Sequence, residues 1–545
     1  MGAIFEGCEQ VLIWLGDSNE DKQAIEEGTA RLRDYRAALE DIEDSEVEEE
    51  EAEEKWDGDD EAVSETSTEL QAFALLYILS VDKHMHELRC FTIRANSMLG
   101  VAKGYERAFD ALQRITEMQY WRRMWVVQEL VLPPVATIVW GAISVPWKIF
   151  VSAAENFEKH NSGCCIEHNN SPGLYFNTLR AFNFAIMSME STRIKRQAAH
   201  NLDIFELLNS YFDREATDPK DKVYALLGLV TWHGESRVEP NYKQPTAKLD
   251  EDLTVHIINS TKNLRVLVGD SVHHIDFPSW VPNWGQQPES GIREWGEWKC
   301  DLTRLNRYHH YAATNTDGTA QQLANSMLKV GGNRVDTIID ASTLISFKTW
   351  EESLQMCMKV LSWIIKCESS YVKAFGSVGI WEDFYWRVLC GDMWQPLETG
   401  GTGAHRRIQT EDRGAYELWK AFILDDRQRT LILQNTDDNA RFQCFHASVC
   451  GAITNRRFFV TREGYLGLGP NALQAGDEVY VINGSNVPFV LKKSDCSNLD
   501  RQPEDEIQMI PFPIFRLIGD CYVHTIMDGE VCQNGGDSAI PFVLF

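Results

Sequence analysis

The 545-residue sequence has no apolar run long enough for a bilayer, no cysteines in a Cys-x-x-Cys pair, and comparatively little positive charge. A membrane helix needs roughly 20 consecutive apolar residues. The stretch Phe73 to Leu79 falls far short and reads as part of a core helix. Lys and Arg number 52 against 81 Asp and Glu, for a net charge of −29. Nucleic-acid binding requires clustered positive charge, so that class of partner is not expected. The thirteen cysteines are odd in number, and no basic start leads into an apolar core. Reduced thiols and a cytoplasmic location are therefore expected. Common zinc spacings are also missing. Cys164-Cys165 with His160 and His168 reads as a loop with incidental ligand types, as do His84 with His86, His273-His274 and His309-His310. No metal or required cofactor is expected. Gly400-Gly401-Thr402-Gly403 lacks the Lys-Ser/Thr of a phosphate-cradling loop and reads as a flexible break.

What the chain does contain is ample core material, with 44% hydrophobic residues, 17 Trp and 25 Phe. At this length more than one core is expected. The charge is unevenly placed: sixteen acids and one lysine between Glu40 and Glu65 carry −15 of the total. Such a tract cannot bury enough apolar surface to fold, so residues 40–66 are expected to form a disordered insertion.

Val11-Leu12-Ile13-Trp14-Leu15, closed by Gly16-Asp17, has the character of a buried parallel strand. A helix is expected over 21–39, then helices at 69–82 and 104–130. Val135 to Gly141 repeats the buried-strand pattern. Strand, helices and strand in this order predict an α/β layer over 1–145. A largely helical middle, 146–453, follows, with helices at 147–160, 178–198, 203–213, 220–229, 246–262, 349–366, 380–391, 414–424 and 440–453. Asp218-Pro219 caps the fourth of these, and a strand interrupts near 326–340. Phe277 to Trp284 reads as a rigid connector, either a recognition surface or a packing strip. From 454 to 545, short strands punctuated by turns such as Asn483-Gly484 predict a small antiparallel β barrel or sheet.

Trp121-Arg122-Arg123-Met124-Trp125-Val126-Val127-Gln128-Glu129-Leu130 is the densest chemical signal. On one continuous helix, Trp121 and Trp125 would share a side, with Glu129 beside that apolar seam ahead of Pro133-Pro134. A carboxylate held against tryptophan in a partly dry site can contact a ligand. The alternative, and the commoner case for such an acid, is a surface carboxylate paired with Arg122 or Arg123.

In their order these blocks resemble fungal heterokaryon-incompatibility (HET) domain proteins. Val11 to Gly16 looks like that family's strand ending in Trp-Leu-Gly. Within Trp121 to Leu130, Arg123 to Glu129 matches the Arg-x-Trp-Val-x-Gln-Glu part of its Trp-x-x-Arg-x-Trp-Val-x-Gln-Glu block, with Arg123 in the expected place. Asp218 to Leu229 is similar to its Asp-Pro-Arg-Asp-Lys-Val-Tyr-Ala-Leu-Leu-Gly segment, with Lys220 replacing Arg. Pro240-Asn241-Tyr242, Pro278 to Trp284 and Arg456 to Gly469 add to the likeness. Family members usually open with a Tyr-x-Trp-Gly strand and a strand ending in Cys-Ile-Asn-Gln. The resemblance thus implies an amino-terminally shortened chain, from a truncated gene model or a degenerate member.

HET domains are similar to TIR domains, which have a flavodoxin-like parallel sheet and in several lineages cleave NAD at the nicotinamide–ribose bond. The resemblance therefore implies an incomplete TIR/flavodoxin-like layer at the amino end. Trp125, Glu129 and Leu130 match the TIR Trp-x-x-x-Glu-Leu pattern. Carried over, Glu129 would be the catalytic acid holding the ribose hydroxyls of NAD, Trp125 would pack behind it, and Arg123 would meet a phosphate. The functions implied are self/non-self recognition with cell death, through NAD cleavage or through a non-catalytic assembly module. A protein partner or self-association is implied in either case.

Overall fold

The computed structural model describes residues 6–16, 67–94, 99–161, 164–165, 174–198, 200–232, 237–269, 278–285, 304–347, 349–375, 378–395, 405–494, 511–531 and 539–545. The acidic tract at 40–66, the helix expected over 21–39, the glycine-rich break, His168, His273 and His274 lie outside them. The chain divides into two compact units, Met1–Pro240 with Glu398–Thr402, and Asn241–Leu397 with Gly403–Phe545.

In the first unit, β1 (Gln10–Trp14) pairs in parallel with β4 (Val135–Trp140), and β4 pairs antiparallel with β5 (Ile143–Pro146). The turn joining β4 to β5 is two residues long, and Gly141 opens it at φ 60°, a conformation that costs a glycine little. A flavodoxin-like layer needs successive parallel strands. This three-stranded sheet has one parallel pair among the described residues, so the sheet is mixed and short.

The expectation that residues 11–15 form a buried strand also changes. β1 is an edge strand in which Ile13 is buried while Leu12 and Trp14 are 66% and 58% exposed. The two strands before and after the helices therefore exist and run parallel, but the first is covered on one face only.

Beneath the sheet lies α1 (Thr68–Leu79), capped by the Ser67 hydroxyl, which accepts the Leu70 N–H at 3.2 Å. Nearly every residue of α1 is buried, as expected of a helix apolar all round. Phe73 meets Trp140 and Phe150 edge-on, with centroids 6.4 and 6.2 Å apart. Phe150 lies on α5 (Trp147–Asn161), which packs with α1 and with the long α6 (Leu174–Gln197).

The helix expected over 104–130 is three pieces: α2 (Glu106–Glu117), α3 (Gln119–Arg122) and α4 (Val126–Val131). Met118 and Arg123 both adopt extended backbone, with ψ 138° and 136°. At Arg123 the cause is tertiary. The Met124 N–H donates to Glu215 O at 2.8 Å and the Glu215 N–H donates to Arg122 O at 2.5 Å, a parallel bridge that helical backbone could not make. Local helix propensity is a weak prior against such pairing.

In the second unit the strand expected near 326–340 is β7 (Met327–Ala341), the longest of the sheet. Its partners are β10 (Arg456–Thr461), β12 (Glu478–Ile482), β16 (Ile540–Leu544) and the short β6 (Gln321–Leu323). β11 (Leu466–Pro470), β13 (Phe489–Lys493), β14 (Ile514–Asp520) and β15 (Tyr522–Val523) complete nine strands. The order β12-β13-β14-β16 begins and ends beside β7, since β7 pairs with both β12 and β16. Most pairings are antiparallel as expected, but β14 and β16 run parallel. Gly332 lets β12 close on β7: a Cβ there would stand 2.6 Å from Val481 O. The inner faces alternate along the strands, bringing Val479, Val481, Ile338, Phe459, Val490 and Ile518 into one core.

The connector at Pro278 to Trp284 is a packing strip: Trp280 is buried, and its indole N–H donates to Ser326 O at 3.0 Å.

One buried ion pair is stitched through this sheet. Arg456 Nη1 donates to Asp520 Oδ2 at 3.0 Å, and Arg456 Nη2 donates to Asp520 O at 2.7 Å and Leu468 O at 3.1 Å. Burial pushes the Asp520 carboxyl up, yet the Arg456 and Arg304 guanidinium charges outweigh this and hold it below its ordinary value. Removing one member of a buried pair strands the other charge. Arg456→Met is expected to cost about 3–5 kcal/mol in urea unfolding. The Asp520 contribution is present above its unfolded value, near 3.8, and is lost as pH falls through the lower folded value. Asp520→Asn should therefore flatten the acid limb of a stability–pH curve.

Candidate functional site

The structure brings Arg123, Trp125 and Glu129 within a few residues of one another, but on a broken helix. Arg123 is the extended residue before α4, Trp125 caps α4 and is half-buried, and Glu129 is half-buried in its first turns. Trp121 belongs to the preceding helix and faces the aromatic core, 6.3 Å from Trp147 and 6.4 Å from Phe150. The single tryptophan seam expected from helical spacing is therefore not formed.

The Glu129 carboxylate takes its hydrogen bond from a residue the sequence did not point to. The Tyr120 hydroxyl donates to Glu129 Oε2 at 3.2 Å. Burial raises the Tyr120 phenol far above its ordinary value, the Glu129 charge and hydrogen bond add to this, and Arg123 and Arg214 oppose it. The phenol is thus a fixed, neutral donor at physiological pH. Of the alternative pairings for Glu129, Arg122 is engaged elsewhere, in an ion pair with Glu215. Arg123 is solvent-exposed and contributes its charge to the same neighbourhood.

The Asp218 to Leu229 segment is the brace of this site. Only α8 (Asp221–Tyr224) is regular helix, with turns on either side. Asp218 Oδ1 accepts the Lys220 N–H at 3.0 Å and its carboxylate pairs with the Lys220 ammonium at 3.2 Å. Lys222 is buried and donates to the carbonyls of Phe212, at 2.7 Å, and Arg214. Those carbonyls belong to the segment that delivers Glu215 to Arg123. Gln128, buried, donates from Nε2 to Ala225 O at 2.6 Å. Its Oε1 has no hydrogen-bond partner among the described residues. At the far end of α4, the buried Arg193 of α6 donates to the carbonyls of Leu130, Pro133 and Pro134, satisfying a helix terminus.

Tyr120, Arg214 and Arg193 were invisible to sequence reasoning. Tyr120 carried no helical-face signal because the helix breaks between it and Glu129. Arg214 and Arg193 come from distant segments. The arrangement is an acid with one fixed donor, an exposed guanidinium beside it and a rigid frame. Chemically it can accept hydroxyl protons in hydrogen bonds and attract an anion.

With that geometry in hand, comparison with known proteins is direct. The family profile described as heterokaryon incompatibility protein (HET) matches residues 1–129, ending on Glu129, and the profile for the Het-6 beta-barrel domain matches residues 325–538, which take in β7 and β10 to β15. Together these matches support a HET-domain-containing protein, in which the segment matching the Het-6 beta-barrel profile follows the segment matching the HET profile. It is similar to heterokaryon incompatibility protein 6, OR allele, of Neurospora crassa, at 23% identity over 594 residues, covering 98% of this chain and 78% of the relative. No solved structure matches. No helix of the described residues is long and apolar enough to cross a membrane.

Lys222 supplies a test of the brace. Burial lowers its ammonium from 10.5 to about 8, so the unfolded chain binds the extra proton between those values. This group alone makes the unit gain stability as pH rises from about 8 towards 10.5. Lys222→Met leaves two carbonyls without their donor and is expected to destabilise the unit by about 1–3 kcal/mol in thermal or urea unfolding. It should also abolish the alkaline gain.

Proposed function

We propose that the protein is a heterokaryon-incompatibility regulator of self/non-self recognition, acting in the cytoplasm, whose amino-terminal unit triggers cell death by hydrolysing NAD. The observation that carries this reading is the half-buried Glu129 with its Tyr120 donor, held on a braced frame with exposed Arg123 beside it. The name of the Neurospora relative supports the biological role. In the proposed reaction Glu129 accepts hydrogen bonds from the ribose hydroxyls and stabilises positive charge as the nicotinamide–ribose bond breaks. Nicotinamide leaves with the bonding pair, water adds to the ribose carbon, and its proton goes to solvent. Trp125 keeps the acid's surroundings apolar, and Arg123 meets a phosphate of the dinucleotide. Purified full-length protein should consume NAD and release nicotinamide. Glu129→Gln should lower the rate by at least ~10²-fold with the fold intact by circular dichroism. Equal turnover by wild type and Glu129→Gln would end the catalytic reading.

A second reading, a non-catalytic assembly module, has its own observation. Leu12 and Trp14 of the edge strand β1 are 66% and 58% exposed, and Val135, at the start of the neighbouring β4, is 51% exposed. Single exposed apolar residues are ordinary, but two on one face of an edge strand with a third on its neighbour offer a surface for self-association or a protein partner. Under this reading Leu12→Asp/Trp14→Asp would abolish oligomers seen by light scattering and abolish incompatibility, whereas Glu129→Gln would leave both unchanged.

A further inference from the structure

We propose that His84, His160, Cys164 and Cys165 form a binding site for one thiophilic divalent cation, zinc being the best fit, that fastens the end of α1 to the end of α5. The sequence offers these residues as two unrelated groupings with no recognised spacing. Folding joins them, because α1 and α5 pack side by side and both end at the same place. Asn156 of α5 secures that junction by donating to Ser80 O at 2.7 Å, just past the end of α1. His84 lies in the turn that follows, where the Glu87 side chain accepts the His84 N–H at 3.0 Å and the Glu87 N–H donates to His84 O at 2.8 Å. On the other side, the Cys165 N–H donates to His160 O at 3.0 Å, curling the cysteines back over the last turn of α5.

The ligand atoms of all four residues lie within 4.8 Å of one another. Cys164 Sγ is 3.1 Å from His84 Nδ1, 3.1 Å from His160 Nδ1 and 3.9 Å from Cys165 Sγ. Cys165 Sγ is 3.7 Å from His84 Nδ1. Zinc bonds of about 2.3 Å to sulfur and about 2.0 Å to nitrogen, set tetrahedrally, put neighbouring ligand atoms about 3.3–3.8 Å apart. The separations in the protein bracket that range, and the donor set of two thiols and two imidazoles is that of a closed structural zinc site. Among the described residues it is the one grouping of this kind.

The surroundings carry a further mark of a metal site. His160 Nε2 lies 2.9 Å from Asp82 Oδ1. With the proton on Nε2 donated to Asp82, the Nδ1 lone pair faces Cys164 and the centre of the cluster, the tautomer a ligand requires. A carboxylate behind a ligating imidazole is the usual orienting arrangement, and Lys159 in turn holds the other oxygen of Asp82. His160 and Cys165 are buried, His84 is half-buried and Cys164 is exposed, so an ion could enter from the Cys164 side. Four protein ligands leave no open position for substrate, so the site's role is to fix the helix pair. It is independent of any chemistry at Glu129.

The test uses the full-length chain, purified under reducing conditions, stripped with chelator and reconstituted with zinc alone. One zinc per chain after gel filtration is expected, measured by plasma mass spectrometry. Cobalt(II) in its place should give thiolate charge-transfer absorption and the intense visible bands of tetrahedral coordination. Cys164→Ser/Cys165→Ser should lose at least nine-tenths of the zinc and the charge-transfer band. Cys450→Ala, altering a cysteine in the other unit, should keep both. Chelator should lower the melting temperature of wild type and leave that of the double variant unchanged. Wild type that takes up no zinc would overturn the proposal, as would full zinc retained by the double variant. A Cys164–Cys165 disulfide in protein prepared without oxidant would do the same. If the double variant does not fold, His84→Asn decides, since it keeps both thiols and should still lose tetrahedral cobalt absorption.

Discussion

The amino-terminal unit hangs on the exchange of backbone hydrogen bonds between residues 122–124 and Glu215. By taking Arg123 out of helical conformation, that exchange separates Trp121 from Trp125. It sends the first into the aromatic core and leaves the second half-buried beside Glu129. Everything that defines the candidate site follows from this kink. Tyr120 can reach Glu129 because the helix does not continue between them. Lys222 and Gln128 then lock the two strands of the exchange to the Asp218 segment. A charged lysine buried among carbonyls is an expensive way to hold a loop.

The two segments that mark the family in the sequence are thus one structural object. Trp121 to Leu130 supplies the acid and its frame, and Asp218 to Leu229 supplies the clamp that shapes that frame. This bears on how substitutions in the second segment should be understood. Lys222 acts on Glu129 only through the backbone it holds, and Lys220 closes a local turn with Asp218.

Much of the fold was legible in the sequence, for identifiable reasons. Strands β1 and β4 announced themselves by β-branched runs, and α1, α5 and α9 (Thr246–Thr261) by length and composition. Turn residues marked the carboxyl-terminal strands well. What failed were readings that depend on distant partners. Periodicity favoured one helix over 104–130 because no local residue signals the pull of Glu215. Composition made residues 11–15 look buried, since a Val-Leu-Ile-Trp-Leu run says nothing about which neighbours flank it. The motif groups Glu129, Trp125 and Arg123, but gives no sign of the Tyr120 hydroxyl that donates to Glu129 or of the Lys222 clamp. Spacing rules see only groups within one segment, so they do not bring His84 together with Cys164, which the fold places at two adjoining helix ends.

The long strand β7 has a consequence for how the second unit is made. Its pairing with β16 joins Gly332 to Ile540, across about two hundred residues of chain, and every strand that flanks it on the sheet is also translated later except β6. On the ribosome, β7 must wait with open edges while the helices that follow it emerge and fold. Closure of such distant pairings is slow compared with local helix formation. The waiting strand, with Met327, Leu328 and Val330 destined for the interior, is a natural substrate for holding chaperones until synthesis reaches the final strands.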